Sequence, residues 1–323
     1  MNMEDPRSNS PSLSVWWRRS VVLVFVVGMA VLGAMSLQAY RHAPPIPDRV
    51  VDPDGRTIFT RQDIEGGQEV FLKYGLMQNG SIWGHGAYLG PDFSAQYLHE
   101  LAMDAGAVLS RQKFNTPLAR LDSEQRLLID AMIPALLKEN RYSHETRELT
   151  FLDIEADSFE RQLSLWGDYF QHPTTSMGLP TRYISDPGEI RQLTAFFAWT
   201  AWASVAKRPG KPYSYTNNFP YDPLAGNRIT GDAVLWSALS VIMLLAGLAL
   251  VLVAVGKFDY LGWKGGPEGG YPHLLAGEVT AGQKATIKYF AVVALLFLAQ
   301  VLIGGALGHY RADPGDFYGI DLA

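Results

Sequence analysis

Three side chains near the C-terminal end have the types and spacing to act together: the imidazole of His309, the carboxylate of Asp313 and the ring of Phe317. They follow an apolar run, residues 287–307, that is long enough to cross a bilayer and stops at the histidine. A continuing helix would place all three on one stripe. Pro314 disfavours helical backbone at the residue before it, so we predict that the helix ends ahead of this turn. The cluster should therefore emerge at a membrane face.

A ring-shaped amphipathic ligand dissolved in the bilayer, such as a quinol, needs a base and a carboxylate at its hydroxyls and an apolar wall for its ring. This cluster has those parts. A purely structural interpretation is also open, because a histidine at a helix C-terminus interacts favourably with the helix dipole and Asp-Pro-Gly-Asp is a common turn sequence. Taken alone, the residues favour the structural interpretation.

Three apolar runs are long enough to span a membrane, at residues 21–37, 233–255 and 287–307. The first exceeds the apolar core of a secretory signal and is followed by AYRHAPP, a poor cleavage context, so we predict a retained anchor. Arginines precede the first run and lysines lie between the second and third, which favours a cytoplasmic position for both segments. The long segment between the first two runs, and His309, are then extracytoplasmic.

Composition limits the chemistry of the chain. Its 323 residues carry a formal charge of -5 without a Lys/Arg tract, which gives no support for nucleic-acid binding. Cysteine is absent, and this excludes disulfides and a covalently attached c-type haem. None of the seven histidines lies inside an apolar run, so the chain by itself cannot supply histidine ligands to a haem or a buried metal centre in the membrane. His85 and His99 share a segment but lack a third ligand, which favours surface or core positions for them.

The segment between the first two spans is predicted to be mostly helical. Apolar periodicity and capping residues predict helices at residues 60–74, 100–109 (with a start at Asp92 or Ser94), 123–140, 148–170 and 186–207. The apolar stretch 193–206 is too short to span comfortably and should be a core or interfacial helix. A glycine-rich stretch at residues 80–90 allows a tight backbone whose carbonyls could face a ligand, although an aromatic-lined structural loop is the commoner case.

The predicted organisation has seven parts. They are a cytoplasmic N-terminal segment at 1–20, a transmembrane helix at 21–40, an extracytoplasmic domain at 41–231, a second transmembrane helix at 232–256, a cytoplasmic loop at 257–284, a third transmembrane helix at 285–310 and an extracytoplasmic segment at 311–323.

Several segments together resemble the N-terminal part of quinol-dependent nitric oxide reductases, which belong to the haem-copper oxidase superfamily. The segments are GQEVFLKYGLMQNGSIWGHGAYLGPDFSAQYLHE, PYSYTNNFPYDPLAGN before a Trp-containing span, KATIKYFAVVALLFLAQVLIGG and HYRADPGDFYG. The likeness runs from about residue 63 to the C-terminus with matched order and spacing. It implies a mainly α fold: three transmembrane helices, with a cytochrome-c-like, haem-less extracytoplasmic domain between the first and the second.

The resemblance also implies an activity and a set of site residues. The family reduces nitric oxide to nitrous oxide with electrons from quinol, using b-type haems and a non-haem iron, in the bacterial inner membrane. By position, His309, Asp313 and Phe317 match its quinol pocket, although the family carboxylate is typically Glu. Gly86 and Tyr88 match a Gly-Ala-Tyr segment that offers oxygens to a calcium ion in related reductases.

One departure from the family is large, because its haem and iron ligands lie on helices beyond the matched region. We therefore expect this chain alone to hold no cofactor and no catalytic residue and to be inactive, being either a fragment or one half of a split enzyme. Its partners would be the lipid bilayer, quinol and a histidine-bearing catalytic membrane region. The alternative is a non-catalytic, membrane-anchored binding or assembly module of a respiratory complex. A sensor is less favoured, because no cytoplasmic signalling segment follows the third span.

Overall fold

The computed structural model describes residues 15–87, 89–173, 178–256, 281–282, 289–290, 292–300 and 303. These residues fall into two units. One contains the described parts of 1–42 and 235–306, and the other contains 43–234. The predicted quinol-site residues His309, Asp313 and Phe317, and the predicted calcium ligand Tyr88, lie outside the described residues.

The first unit consists of apolar helices. Helix α1 (Val15–Arg41) contains a segment, Val22–Arg41, that is long and apolar enough to cross a membrane, and it is the only helix among the described residues that meets both criteria. Helix α7 (Gly231–Gly256) contains a shorter apolar stretch, Ala238–Leu250, and residues 292–300 are also helical. The predicted count of three spans therefore stays a prediction.

The second unit opens with a small sheet. Strand β1 (Arg49–Val51) pairs antiparallel with β2 (Thr57–Thr60) and parallel with β5 (Glu148–Thr150), so that Val50 lies opposite both Phe59 and Leu149. The short strands β3 (Ser81–Ile82) and β4 (His85–Gly86) form a separate antiparallel hairpin.

Five α-helices and two short 3-10 helices, Leu76–Gln78 and Leu118–Arg120, form most of the rest of this unit. The α-helices are α2 (Arg61–Lys73), α3 (Phe93–Phe114), α4 (Ser123–Leu137), α5 (Asp153–Gln171) and α6 (Pro187–Val205). Four of them start where an oxygen-bearing side chain accepts a hydrogen bond from the first turn. These cap residues are Thr60, Asp92, Asp122 and Asp186. The predicted helices at 60–74, 123–140 and 186–207 are thus confirmed to within a few residues. The predicted helix start at Asp92 or Ser94 is also confirmed, and α3 continues past the predicted end at residue 109 to Phe114.

The prediction of a helix at 148–170 was wrong at its start. Residues 148–150 are strand β5, and the helix begins only at Asp153. Leu149 is buried against β1, whereas its neighbours Glu148 and Thr150 are partly exposed, an alternation that suits a strand. Tertiary pairing with a strand about a hundred residues earlier in the chain decides this conformation.

Helix α6 is the centre of the core. It packs against α2, α3 and α5, and its residues 193–205 are all buried. The prediction that this apolar stretch forms a core helix and does not span the membrane is therefore confirmed. Aromatic rings fill the surrounding space, with Phe93 stacked on Phe197 at a centroid distance of 4.8 Å and 5.6 Å from Trp166.

Candidate functional site

The hairpin β3–β4 is organised by one carboxylate. Asp92 accepts hydrogen bonds from the Ser81 hydroxyl at 2.8 Å and the Gly84 amide at 2.6 Å through one oxygen. Through the other it accepts from the Ala95 amide at 2.8 Å and from the Ser94 hydroxyl. The same residue therefore caps α3 and closes the hairpin. The sequence indicated a helix start at Asp92 or Ser94, but the contacts of Asp92 with the hairpin were not predicted.

The second strand of the hairpin is exposed, whereas its tip at Trp83 and Gly84 is partly buried. Trp83 adopts a positive φ of 51°, which is uncommon for a bulky residue, and its indole N–H donates to the Thr200 carbonyl of α6 at 3.0 Å. Gly86 has φ 147°, and a Cβ added there would lie 2.2 Å from the Gly80 carbonyl oxygen. Both His85 and Gly86 are exposed. The backbone at Gly86 is thus fixed by packing and open to a partner.

The described part of this hairpin offers only some of the oxygen ligands that a calcium ion needs. Calcium prefers six to eight oxygen ligands, and both Asp92 oxygens are already occupied by hydrogen bonds within the domain. No group of three or more His, Cys, Asp or Glu suited to a metal occurs among the residues that the structure describes. Gly86 could contribute main-chain oxygen only, so the calcium assignment to Gly86 and Tyr88 stays a prediction.

The core of the second unit does not fit a haem. Haem iron in cytochromes is held by histidine, methionine or a similar axial ligand, and c-type attachment needs cysteines. The chain has no cysteine, and the buried core of the described residues contains neither histidine nor methionine. Its volume is occupied by packed aromatic side chains such as Phe93, Trp166 and Phe197.

His99 pairs with a buried carboxylate, Asp222. The Nδ1 of His99 lies 3.0 Å from Oδ2 of this carboxylate, which also accepts from the Leu224 and Ala225 amides. The hydrogen bond with Asp222 raises the pKa of His99, against the opposing effect of partial burial. The pair joins α3 to the segment that precedes α7. Sequence reasoning missed it because 123 residues separate the two side chains.

A second ion pair is buried where β5, α4 and α5 meet. Arg141 donates to Glu155 Oε2 at 2.5 Å and also to the carbonyls of Leu136 and Thr150, both at 3.1 Å. Burial raises the pKa of Glu155 even though Arg141 and the Leu152 amide favour its charged form. The two side chains satisfy each other and stabilise the start of α5.

A comparison with protein-family models identifies one domain in this chain. Residues 47–221 match the cytochrome c-like domain of NorB, a nitric oxide reductase subunit. No curated protein matches the chain. The matched range contains the sheet, the hairpin and all five α-helices of the second unit, and it covers more than half of the 323 residues. The chain therefore belongs to the NorB family of nitric oxide reductases.

Proposed function

We propose that the chain is the N-terminal portion of a quinol-dependent nitric oxide reductase, in which it supplies the membrane anchor, the external domain and part of the quinol site. The match of residues 47–221 to the NorB cytochrome c-like domain carries this proposal. The apolar helix α1 directly before the matched range supports it, because an external domain of a membrane enzyme needs an anchor.

The proposed topology has three membrane helices in the bacterial inner membrane. The N-terminus and the loop 257–284 are cytoplasmic, and residues 41–231 are extracytoplasmic. The support is the position of arginines before the first apolar run and of lysines between the second and third. Reaction of single introduced cysteines with a membrane-impermeant maleimide would test the orientation, since the natural chain has no cysteine.

The catalytic centre belongs to another part of the enzyme under this proposal. A histidine-bearing membrane region, either a continuation of the chain or a separate subunit, would hold the b-type haems and the non-haem iron. The cysteine-free sequence and the haem-incompatible core support a domain that is not itself an electron carrier. Sequencing the coding DNA past the codon for Ala323 would distinguish the two arrangements.

The quinol site would use His309, Asp313 and Phe317. A neutral imidazole can take the proton of one quinol hydroxyl, and a carboxylate can accept a hydrogen bond from the other hydroxyl. An aromatic side chain can pack against the quinol ring. Quinol oxidation releases these protons as its electrons pass to the catalytic region. Asp313 is one methylene shorter than the usual family Glu, so its contact with the quinol would be longer or bridged by water.

The decisive experiment replaces the two polar groups in the assembled enzyme. His309→Gln and Asp313→Asn should each lower quinol-driven turnover while haem content, read from the absorbance spectrum, stays unchanged. His172→Gln is the matched control, because His172 is exposed and its ring pairs with the exposed side chain of Asp168. Unchanged turnover in both site variants would instead support the non-catalytic assembly module.

We propose in addition that main-chain oxygen at Gly86 and an oxygen of Tyr88 bind calcium, with further ligands from the catalytic region. The exposed, conformationally fixed backbone at Gly86 supports this. Metal analysis of the assembled enzyme should find calcium, and Tyr88→Phe would show whether the ring oxygen takes part. A calcium-free enzyme whose thermal midpoint does not rise on calcium addition would contradict the assignment.

A further inference from the structure

A concave pocket lies at the C-terminal end of α4, next to Arg141 of the buried ion pair. Its volume is about 490 Å³, and it is lined by Pro134, Ala135, Lys138, Glu139, Asn140 and Lys207. The Lys207 amide donates to the Lys138 carbonyl at 3.1 Å, which holds the two lysines side by side although they belong to different parts of the chain.

Two neutral side chains at the edge of the pocket, outside its lining, hold the Lys138 ammonium. It donates to the side-chain oxygen of Asn227 at 2.9 Å and is 3.5 Å from that of Asn218. An ammonium has three N–H donors, so these contacts do not exhaust it. Asn140 is fully engaged: its amide donates to the Lys207 carbonyl and to the Tyr215 hydroxyl, and its oxygen accepts from a main-chain amide.

The positive charge of the two lysines is offset only in part, by the C-terminal end of the α4 dipole and by the Glu139 carboxylate. Neither Lys138 nor Lys207 forms an ion pair with a carboxylate of the described chain. The one acid in the lining, Glu139, is largely exposed and is paired with Arg141 at 3.3 Å. Burial, and then repulsion by Lys207, lowers the pKa of Lys138 to about 8. A partly buried lysine beside a second lysine gains most from an anion, because an anion offsets both effects.

We propose that this pocket binds a phosphate-class oxyanion between the ammonium groups of Lys138 and Lys207. The anion could be free phosphate or the phosphate of a lipid headgroup, since both present the same oxygen acceptors. Pro134 and Ala135 form an apolar wall beside the two cations, and Asn140 positions Lys207 through its main chain. The site is independent of quinol oxidation and of nitric oxide chemistry.

The test titrates the full chain with sodium phosphate at constant ionic strength in dodecyl maltoside micelles, which contain no phosphate, and measures binding by calorimetry. Saturable binding should weaken by about tenfold or more in each of Lys138→Met and Lys207→Met, which is the loss expected for one charge-assisted hydrogen bond. Lys113→Met, on the last turn of α3, is the matched control and should bind like the unchanged chain. Lys207 is exposed, so its variant should fold normally, which far-ultraviolet circular dichroism would verify.

Two further measurements identify the source of the anion and the group that titrates. Sulfate, whose charge is constant in this range, should bind more weakly as the pH rises above about 8, because Lys138 loses its proton there. Nanodiscs with phosphatidylglycerol should raise the thermal midpoint of the unchanged chain, but not of the two lysine variants, if the headgroup is the ligand. Binding that is equal in all variants, or absent with phosphate, sulfate and phosphatidylglycerol alike, would overturn the proposal.

Discussion

At the scale of single residues, three carboxylates of the second unit form hydrogen bonds or ion pairs that stabilise the fold. Asp92 satisfies four donors, Asp222 joins His99 to the segment before α7, and Glu155 meets Arg141 in the interior. Each carboxylate replaces the water that it loses on burial with charge-assisted hydrogen bonds, which are stronger than neutral ones. Two consequences for stability can be measured.

The His99–Asp222 pair should make stability depend on pH. The pKa of His99 is raised above its usual 6.5, so the pair stabilises the fold below that pH and loses this effect as the pH rises through the higher folded value. His99→Gln should therefore lower the thermal midpoint at about pH 6 and leave it unchanged at about pH 9. The histidine is half-exposed, so the loss should stay below about 1 kcal/mol. A loss of equal size at both pH values would assign the effect to packing.

Removing Arg141 should be far more costly than removing a surface arginine. Arg141→Met leaves the buried Glu155 carboxylate without its partner, and the free energy of unfolding should fall by about 3 kcal/mol. Arg147→Met, which breaks an exposed pair with Asp48, should cost less than about 1 kcal/mol. Urea unfolding followed by tryptophan fluorescence compares the two. Adding Glu155→Gln to Arg141→Met should recover part of the loss, and failure to do so would show that the arginine acts through its carbonyl contacts.

At the scale of elements, helices α2 and α6 pack closely because α2 has a glycine, Gly67, at the contact. At Gly67 of α2, an added Cβ would lie 2.1 Å from the Gln192 carbonyl oxygen and 2.7 Å from the Phe196 Cβ. Such distances are impossible without moving one helix. At the preceding Gly66, the added atom would meet only the side-chain amide of Gln192, at 2.8 Å, and that side chain can rotate.

Gly67→Ala should consequently destabilise the protein by about 1–3 kcal/mol, as expected for a substitution that overpacks a core contact. Gly66→Ala is the matched control in the same helix and should be close to neutral, because the better helix propensity of alanine offsets the displaced side chain. Thermal midpoints of the two variants give the comparison. Equal midpoints would mean that α2 and α6 can separate without cost.

At the scale of the whole molecule, the two units differ in how they satisfy their apolar groups. The second unit has its own buried core, centred on α6 and extending to β1, β2 and β5. Many apolar side chains of α1 and α7 are exposed within the first unit, and α1 is long and apolar enough to cross a membrane.

A fragment of residues 43–234 should therefore fold by itself. It contains every residue of the core cluster, so it should be helical by circular dichroism and unfold in one cooperative thermal transition. A fragment of residues 43–152 is the control, because it lacks α5 and α6 and should not fold cooperatively. Aggregation of the longer fragment under the same conditions would show that the unit depends on the rest of the chain.

The sequence by itself determined much of the local structure and the family. The helix starts at residue 60 and at Asp92 or Ser94 were predictable because a capping side chain bonds to an amide within three residues. The apolar stretch of α6 indicated a core helix through its length and composition. The resemblance to nitric oxide reductases is confirmed at the level of the NorB family by the matched domain, while quinol dependence stays a prediction.

Only the tertiary structure decided the features that join distant parts of the chain. Strand β5 forms because β1 offers it a partner, and the His99–Asp222 pair and the Lys138–Lys207 pocket bring together residues from separate elements. Periodicity reports which face of an element is apolar, but it carries no information on which other element that face meets. Tertiary packing brings these charged side chains together and sets their burial and pKa. No local sequence pattern could therefore have predicted the burial or the pKa.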